Sequence, residues 1–519
     1  MDVTSWRLSN LTSFFIDQHG CAKNQVDGEL IINRLKNLGL TQVFDAGSAE
    51  LIIVNSCGFI ESAKKESIDA LLFARKQYPK AKILLTGCLA ERYAEILKNS
   101  MPEADGIFGN GDLSKIDGVV LDMLAGSRPV LVPPQKGVCC GERRTLLSFR
   151  GSAFVKITEG CSNHCSFCAI PLIRGELRSR SAADIVAEIK ELVKSGIREI
   201  NLIGQDLAAY GTGNGDNVFG TGTFELPKID ENGFNCGTKG ESALSLLLKN
   251  ISTVDGNFLL RLLYIHPDHF NRDILDSIEA DSRILHYFDI PFQSGSTGII
   301  RAMNRKGSFS EYSRLVSDIR KKLPDAVIRT TFLTGFPGEN AEDALETQRF
   351  LNEIRSAWSG CFPYSREEDT PAYDMKKRVA AKTAKARAKA LTDIQAEITE
   401  RHLASRVGEE YDVLIEEIIT VGNETTGEDS GTDSCSEDGG LAIGRAWFQA
   451  PDVDGSVVVR YDREDEAQNA AVQPGRFVRV KIEAAGSVDL NGVFLADSPM
   501  NAGAEQSTLI FAPEVQNAQ

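Results

Sequence analysis

The sequence predicts an α/β protein in three parts: an open parallel-sheet domain, a central (β/α) partial barrel and a small C-terminal β-barrel. Short apolar runs alternate with helical patterns up to about residue 130, and the alternation resumes from Phe154. After a long helix, short strands separated by turn residues replace this alternation. A chain of 519 residues is also too long for a single hydrophobic core.

The first domain, residues 1–135, is predicted from three buried strands with helices between them. The runs SFFID, LIIVN and KILLTG have uncharged centres, which is typical of strands buried on both faces. The patterns GELIINRLKNLGL and SAKKESIDALLFARKQY predict helices, and the first is expected to end near Gly39. Together these elements predict a parallel sheet.

A single cysteine follows each of these runs within four residues: Cys21, Cys57 and Cys88. Because the carboxyl ends of parallel strands meet at one edge of a sheet, we expect these cysteines to converge on a metal or sulfur site. The alternative is three unrelated small buried side chains, which is the usual state of a lone cysteine. The adjacent pair Cys139 and Cys140 is poorly placed to chelate one metal ion, and we interpret it as structural or incidental.

The central barrel, residues 150–390, is predicted from five or six βα units. Its strands are FVKITEG, REINLIGQD, FLLRLLYIH, ILHYFDIPFQ and VIRTTFLTGF. The segment SAADIVAEIKELVKSG predicts a helix with Ser181 as N-cap and Gly196 as its stop. In such folds the chemistry lies on the loops after the strands. The residues at these positions include Gln205, Asp206, His266, Gln293 and Gly335.

The C-terminal barrel is predicted over residues 404–499, after a helix from Lys376 to about Arg406, and residues 500–519 form a tail. Two segments, residues 211–240 and 422–440, are predicted to be an insertion and a disordered loop. From Ala404 onward there are seven Lys+Arg and 22 Asp+Glu residues, a balance of −15 out of a net charge of −16. Such a segment repels nucleic acid and attracts a basic partner, unless it is only a solvated surface.

The composition excludes several classes of protein. No apolar run is long enough to span a bilayer, and the first residues lack the pattern of a signal peptide. We therefore expect a cytoplasmic protein that does not act at a membrane. Eleven cysteines in a chain of this size do not indicate a small disulfide scaffold, so clustered cysteines indicate metal binding or catalysis.

The segment EGCSNHCSFCAIPLIRGE places Cys161, Cys165 and Cys168 in a C-x3-C-x2-C pattern. Short cysteine loops bind zinc or iron–sulfur clusters. Structural zinc needs four protein ligands, but His164 is adjacent to Cys165 and no second C-x2-C pair lies nearby. A four-iron cluster held by three thiolates has one iron free for a ligand that is not protein.

This loop, with Phe167 before its last cysteine and a barrel strand before its first, resembles the radical S-adenosylmethionine (SAM) superfamily. The resemblance implies that Cys161, Cys165 and Cys168 bind a 4Fe-4S cluster and that SAM binds its open iron. In that superfamily, one electron from the reduced cluster cleaves SAM to a 5′-deoxyadenosyl radical. The implied SAM contacts are Phe167, Gln205, Asp206 and Gly335, and no side chain is expected to act as an acid or base.

The stretches GCAKNQVDGE, NSCGFI and TGCLAERY, upstream of this barrel, resemble the methylthiotransferase family. The resemblance implies a second, auxiliary 4Fe-4S cluster on Cys21, Cys57 and Cys88, and a TRAM-like C-terminal barrel. LIGQDLAAYG, YFDIPFQ, GCFPYS and GRAWFQAPDVDGSVVV resemble the RimO-type branch, which modifies the β-carbon of an aspartate in small-subunit ribosomal protein S twelve. Ser294 departs from the histidine expected after Gln293.

The acidic C-terminal barrel agrees with this branch, because a basic ribosomal protein is a better partner for it than a phosphate backbone. We expect a monomer that meets its substrate free, on the ribosome or in an assembly intermediate, and takes electrons from a flavodoxin or ferredoxin. Two alternatives remain at this point: a tRNA adenosine methylthiotransferase of the same family, and a zinc-stabilised RNA-binding scaffold without catalysis. His266 and His269 are interpreted as structural, and Cys236, Cys361 and Cys435 are expected to bind no metal.

Overall fold

The computed structural model describes residues 13–212, 241–419, 439–502 and 509–512. The predictions for Cys236, for Cys435 and for nearly all of the segments 211–240 and 422–440 lie outside these residues. No helix in the described ranges is long and apolar enough to cross a membrane.

The N-terminal unit is a six-stranded, wholly parallel sheet covered by helices. Its strands are β1 (Ser13–Gln18), β2 (Thr41–Gln42), β3 (Leu51–Ser56), β4 (Lys82–Gly87), β5 (Gly106–Phe108) and β6 (Val130–Leu131). Its helices are α1 (Ala22–Asn37), α2 (Glu61–Gln77), α3 (Cys88–Ser100) and α4 (Ile116–Leu124). The strand order is β2-β1-β3-β4-β5-β6, which confirms the predicted parallel sheet.

Helix α1 begins at Ala22, so the sequence-based start at Gly28 was wrong. The apolar pattern misses the start of the helix because several of its buried residues, Lys23, Asn24 and Asp27, are polar. The Asn24 amide donates hydrogen bonds to the carbonyl oxygens of His19 and Asn55, at 2.7 and 3.2 Å. These bonds tie the first turn of the helix to the loops that follow β1 and β3.

The central unit is a six-stranded parallel sheet, a partial barrel as predicted. Its strands are β8 (Ser152–Lys156), β11 (Glu199–Ile203), β12 (Leu259–Leu262), β13 (Ile284–Asp289), β14 (Val327–Thr334) and β15 (Trp358–Pro363), in the order β15-β14-β13-β12-β11-β8. Short pairs flank it: β7 (Thr145–Leu146) with β21 (Ile510–Phe511), and β9 (Thr158–Glu159) with β10 (Arg178–Ser179).

Helices of the central unit surround this sheet or follow its strands. They are α5 (Ile170–Arg174), α6 (Ala182–Lys194), α7 (Ala243–Ile251), α8 (Asp273–Ala280), α9 (Thr297–Ala302), α10 (Phe309–Lys322), α11 (Ala341–Ile354) and α12 (Ala381–Ala404). The Ser181 hydroxyl accepts a hydrogen bond from the Asp184 N–H at 3.1 Å, which confirms the predicted N-cap of α6.

The C-terminal unit is a closed five-stranded barrel. It comprises β16 (Glu410–Ile419), β17 (Gly439–Ala446), β18 (Val457–Asp462), β19 (Phe477–Ala485) and β20 (Leu490–Asp497), with helix α13 (Glu466–Ala471) after β18. The order is β16-β17-β18-β20-β19. The prediction of a small β-barrel is therefore confirmed.

Residues 447–454, which we call the plug loop, join the C-terminal barrel to the inner face of the central sheet. The indole of Trp358 and the guanidinium of Arg261 donate to the carbonyl oxygens of Phe448 and Trp447, at 3.0 and 2.8 Å. Hydrophobic side chains from the inner face, including Tyr287, belong to one buried core with residues from both other units. The plug loop thus completes the interior of the open barrel at the amino ends of its strands.

A buried ion cluster fixes the same junction. The carboxylate of Glu199, the first residue of β11, accepts hydrogen bonds from Arg445 at 2.8 Å and from Arg261 at 2.9 Å. Arg445 also donates to Glu416 at 2.6 Å. Burial alone would raise the pKa of Glu199, but Arg445 and Arg261 hold it well below its usual range. The two arginines depend on this carboxylate, because an unpaired buried charge is costly.

Acid is expected to weaken this junction through His402 on α12, whose ring packs edge-on against Trp358 and Phe448. Burial, with Arg406 and Arg320 nearby, lowers the pKa of His402 to about 4. An unfolded histidine has a pKa of about 6.5, so between pH 6.5 and 4 only the unfolded state takes up the proton. Stability contributed by the neutral imidazole is therefore present above pH 6.5 and is lost as pH falls, by at most roughly 3 kcal/mol.

Chemical denaturation at pH 7 and at pH 4.5 measures this effect. The variant His402→Phe should lose less stability between the two pH values than the parent protein does. The matched control is His286→Phe, at an imidazole beside Asp325 in the surface region of β13. If His402→Phe and the parent protein lost equal stability between the two pH values, His402 would not be the cause of the acid sensitivity.

Candidate functional site

The three lone cysteines meet at one edge of the N-terminal sheet. Cys21 follows β1, Cys57 follows β3 directly, and Cys88 is the first residue of α3. Gly20 has φ +89°, and a Cβ atom there would lie 3.3 Å from the Cys57 Sγ. A Cβ atom on Gly58 would lie 2.7 Å from the Cys88 carbonyl oxygen. The cysteine-bearing loops are therefore in contact, and both glycines stand where a side chain has no room.

Positive and polar groups surround the most buried of these thiols. The Cys88 Sγ lies 3.3 Å from Nη2 of Arg174 and 3.5 Å from Nδ2 of Asn110, and both nitrogens donate to it. Burial, with Cys88 and Cys21 nearby, raises the pKa of Cys57 to about 12. Three close thiols resist joint ionisation unless a cation compensates their charge, and this fits a metal cluster.

The second cysteine set lies in the loop between β9 and α5. The Cys168 N–H donates to the Cys165 carbonyl at 2.9 Å, and the Cys161 N–H donates to the Gly175 carbonyl at 3.0 Å. Burial, followed by the proximity of Cys165, raises the pKa of Cys168 to about 12. His164, the extra ligand weighed for zinc, has its Nε2 3.4 Å from Glu176. The donor set is thus again three thiols, which suits a cluster with one open iron.

Of the four predicted SAM contacts, Asp206 has the clearest structural role. Its carboxylate accepts hydrogen bonds from Asn163 (3.0 Å), Ala208 N–H (3.1 Å), His266 N–H (3.1 Å) and His269 Nδ1 (2.7 Å). Burial would raise the pKa of Asp206, but the His269 hydrogen bond and nearby charges lower it to about 2. Asp206 joins the cysteine loop to the loops after β11 and β12. Its direct contact with SAM stays a prediction.

The other three predicted SAM contacts lie near the end of the barrel where the loops after its strands meet. We call this end the mouth. Phe167 packs against a small buried cluster that includes Met303 and Phe336. Gln205 follows β11 and is half-buried. Gly335 has φ +75°, and a Cβ atom there would lie 2.3 Å from the Ala384 Cβ on α12. Packing against α12 therefore already requires this glycine, whether or not SAM approaches it.

One histidine, His266, comes closer to the cysteines than the sequence indicated, and His269 lies beside it. His266 Nε2 lies 3.9 Å from Cys165 Sγ, and burial lowers the pKa of His266 to about 3. Asp206, His266 and His269 have ligand atoms close enough to hold a metal ion, although their hydrogen bonds to one another already satisfy much of this group. A clear sequence signal was the position of both histidines after a barrel strand.

Sequence reasoning missed the ion cluster that joins the two cysteine sets. Arg174, six residues after Cys168, donates to Asp27 at 2.9 Å and to Glu159 at 2.5 Å, besides its contact with Cys88. The Lys156 ammonium donates to the same Asp27 at 2.5 Å. Helix α1 thereby docks on β8, and one guanidinium lies between the two cysteine sets. Asp27 lies within the quoted motif GCAKNQVDGE, which was the available signal.

Three further cysteines fall within the described residues, and they belong to neither set. Cys361 is in the middle of β15 and packs against the outer core of the barrel, and burial raises its pKa to about 11. Cys139 and Cys140 lie in the linker after β6, and Cys139 packs against the core shared by the three units.

Three family models match the chain: "Uncharacterized protein family UPF0004" over residues 13–109, "Radical SAM superfamily" over residues 155–351 and "TRAM domain" over residues 407–495. The radical SAM and TRAM predictions are confirmed. Among solved structures, the radical SAM methyltransferase TsrM from Kitasatospora setae has a TM-score of 0.50 at 13% identity, covering 77% of this chain and 91% of that one. This likeness concerns the fold alone.

Two curated relatives carry the same name. "Ribosomal protein uS12 methylthiotransferase RimO" of Treponema denticola is 50% identical over 493 residues, covering 92% of this chain and all of the relative. The protein of the same name from Thermotoga maritima is 36% identical and covers 85% of this chain and 92% of the relative. This chain therefore belongs to the RimO family of radical SAM methylthiotransferases.

Proposed function

We propose that this protein attaches a methylthio group to the β-carbon of an aspartate in uS12, the small-subunit ribosomal protein S twelve. The observation that carries the proposal is the pair of three-cysteine sets joined through Arg174, in a chain half identical to uS12 methylthiotransferases along almost its whole length. The relatives favour neither the tRNA enzyme nor the zinc scaffold. The protein acts in the cytoplasm, where ribosomal proteins are made and assembled.

We assign one 4Fe-4S cluster to Cys161, Cys165 and Cys168, and the auxiliary one to Cys21, Cys57 and Cys88. When bound, the first cluster with SAM supplies a 5′-deoxyadenosyl radical, and the auxiliary cluster holds the sulfur to be transferred. Phe167, Gln205, Asp206 and Gly335 form the SAM side of the mouth, with Asp206 fixing the loops. Residues 1–135, 150–390 and 404–499 are the three domains, and 500–519 the tail.

The chain's own groups prepare this chemistry in three ways. Arg174 compensates negative charge at Cys88 and holds the two cysteine sets together through Asp27 and Glu159. Asn24 fixes the loop that carries Cys21 against the loop that carries Cys57. The core shared by all three units excludes water from the interior below the mouth, which limits quenching of a radical.

Mass spectrometry of uS12, with the reconstituted protein and a flavodoxin or ferredoxin as electron donor, tests the proposal. A methylthio group on one aspartate is the expected product, and tRNA adenosine in a parallel assay should stay unmodified. About eight irons per chain, with labile sulfide, should accompany activity. Zinc without sulfide, or modification of tRNA instead, would refute the proposal. Free uS12 and assembled small subunits should be compared as substrates of the monomer.

The exposed acidic residues of the C-terminal barrel are expected to dock basic uS12. Asp462, Glu464 and Glu466 follow one another closely around the end of β18 and are exposed. Changing Glu464 and Glu466 to Lys should weaken uS12 binding about 10-fold at low salt and make it less salt-sensitive. Titrations at two salt concentrations measure this. The control is Glu342→Lys, at an exposed acidic residue on α11 of the central unit. Unchanged uS12 binding by the Glu464/Glu466 double variant would contradict the docking role of the C-terminal barrel.

A further inference from the structure

Lys23 is a buried cation without a carboxylate partner among the residues that the structure describes. Lys23 is only 5% exposed, and its Nζ lies 3.4 Å from the centroid of the Tyr264 ring. The neighbouring buried cations Lys156, Arg174 and Arg143 each pair with at least two carboxylates. A ring face compensates an ammonium only partly, so Lys23 can still bind a carboxylate.

The position of Lys23 is between the two cysteine sets. It is the second residue of α1 and follows the exposed Cys21 by two positions. The ring beneath it, Tyr264, lies two residues before His266, whose Nε2 is 3.9 Å from Cys165 Sγ. The ammonium therefore lies between Cys21 of one set and the strand end whose His266 contacts Cys165 of the other.

The backbone of Tyr264 holds this ring in a costly conformation. Its φ is +69°, which a tyrosine rarely adopts. The Tyr264 N–H donates to Asp289 at 3.2 Å, and its carbonyl accepts from the Leu207 N–H at 3.0 Å. Such strain persists where the surroundings enforce it and is concentrated at functional sites. Here it aims the ring at the Lys23 ammonium.

We propose that the Lys23 ammonium binds the side-chain carboxylate of the aspartate that is modified. This inference rests on the proposed function. The target carbon is bonded directly to that carboxylate, so an anchor between the two cysteine sets places the carbon where both can act on it. A carboxylate brought into this low-dielectric mouth requires a cation. The buried arginines that form no carboxylate ion pair among the described residues, Arg178, Arg198 and Arg305, donate to backbone carbonyl oxygens, whereas the Lys23 ammonium has only the Tyr264 ring there.

SAM also carries a carboxylate, so the experiment has to distinguish binding of the aspartate carboxylate from binding of the SAM carboxylate. The unreduced holoenzyme is titrated with uS12 and with uS12 in which the target aspartate is changed to asparagine. The parent protein should bind the aspartate form about 30-fold tighter, because the amide has the same shape without the charge. Lys23→Met should remove this preference, raising the KM for uS12 by a similar factor, while Lys23→Arg should keep part of it.

The KM for SAM, the iron content and the rate of SAM cleavage should stay unchanged in both variants. Lys65→Met, at an exposed lysine of α2, is the matched control and should retain the full preference. Equal binding of both uS12 forms by the parent protein would overturn the inference even if Lys23→Met failed to fold. So would a preserved preference in Lys23→Met, or a raised KM for SAM alone. Failure of the proposed function differs from all of these, because uS12 would then not be modified at all.

Discussion

Changing Cys88 to Ala is expected to reduce methylthio transfer by at least about 1,000-fold while SAM cleavage continues. The physical reason is that Cys88 belongs to the set at the edge of the N-terminal sheet and makes no part of the C-x3-C-x2-C loop. Arg174 keeps its bonds to Asp27 and Glu159 in this variant, so the docking of α1 on β8 survives.

Two measurements check this result on the same sample: 5′-deoxyadenosine formation by chromatography and methylthio transfer by mass spectrometry. Iron should fall from about eight to about four per chain. Cys361→Ala, at a half-buried cysteine of β15, is the matched control and should keep both activities and all the iron. Transfer by Cys88→Ala at the parent rate would refute the auxiliary cluster.

Changing Glu199 to Gln should lower the stability of the junction between the central and C-terminal units by about 3–5 kcal/mol. The amide keeps the shape of the side chain but removes the charge that pairs Arg445 and Arg261, both of which are buried. The first region to open should be the plug loop, because its carbonyl oxygens accept from Arg261 and Trp358.

Hydrogen exchange of residues 447–454 measures this opening without requiring two-state unfolding of the whole chain. Glu483→Gln supplies the control, since its pair with Arg460 is on the surface of the C-terminal barrel and should contribute less than about 1 kcal/mol. Equal exchange in the two variants would show that the buried cluster does not hold the junction.

Local patterns were enough to predict the cysteine sets. The strand ends before Cys21, Cys57 and Cys88 follow from buried apolar runs, and the parallel alternation brings such ends to one edge. The N-cap at Ser181 was predictable for the same reason, because capping depends on residues within one turn. These features need no information about how distant segments pack.

Long-range polar contacts could not be predicted in this way. Arg174 meets Cys88 across 86 residues, and Arg445 meets Glu199 across 246. No periodic pattern in one segment identifies the partner in another. Nothing in the residues around Arg174 therefore indicated that it contacts a cysteine of the other set. The start of α1 was misplaced for a related reason, since its buried first turn is polar and bonds to a different strand loop.

The plug loop also governs when the protein can acquire its structure. Residues 447–454 lie near the end of the chain, yet they complete the interior of a sheet whose first strand begins at Ser152. A ribosome making this protein delivers the sheet long before the segment that fills it. The central unit therefore stays incomplete until residues 447–454 have been made, and we expect nascent chains to require protection from aggregation up to that point.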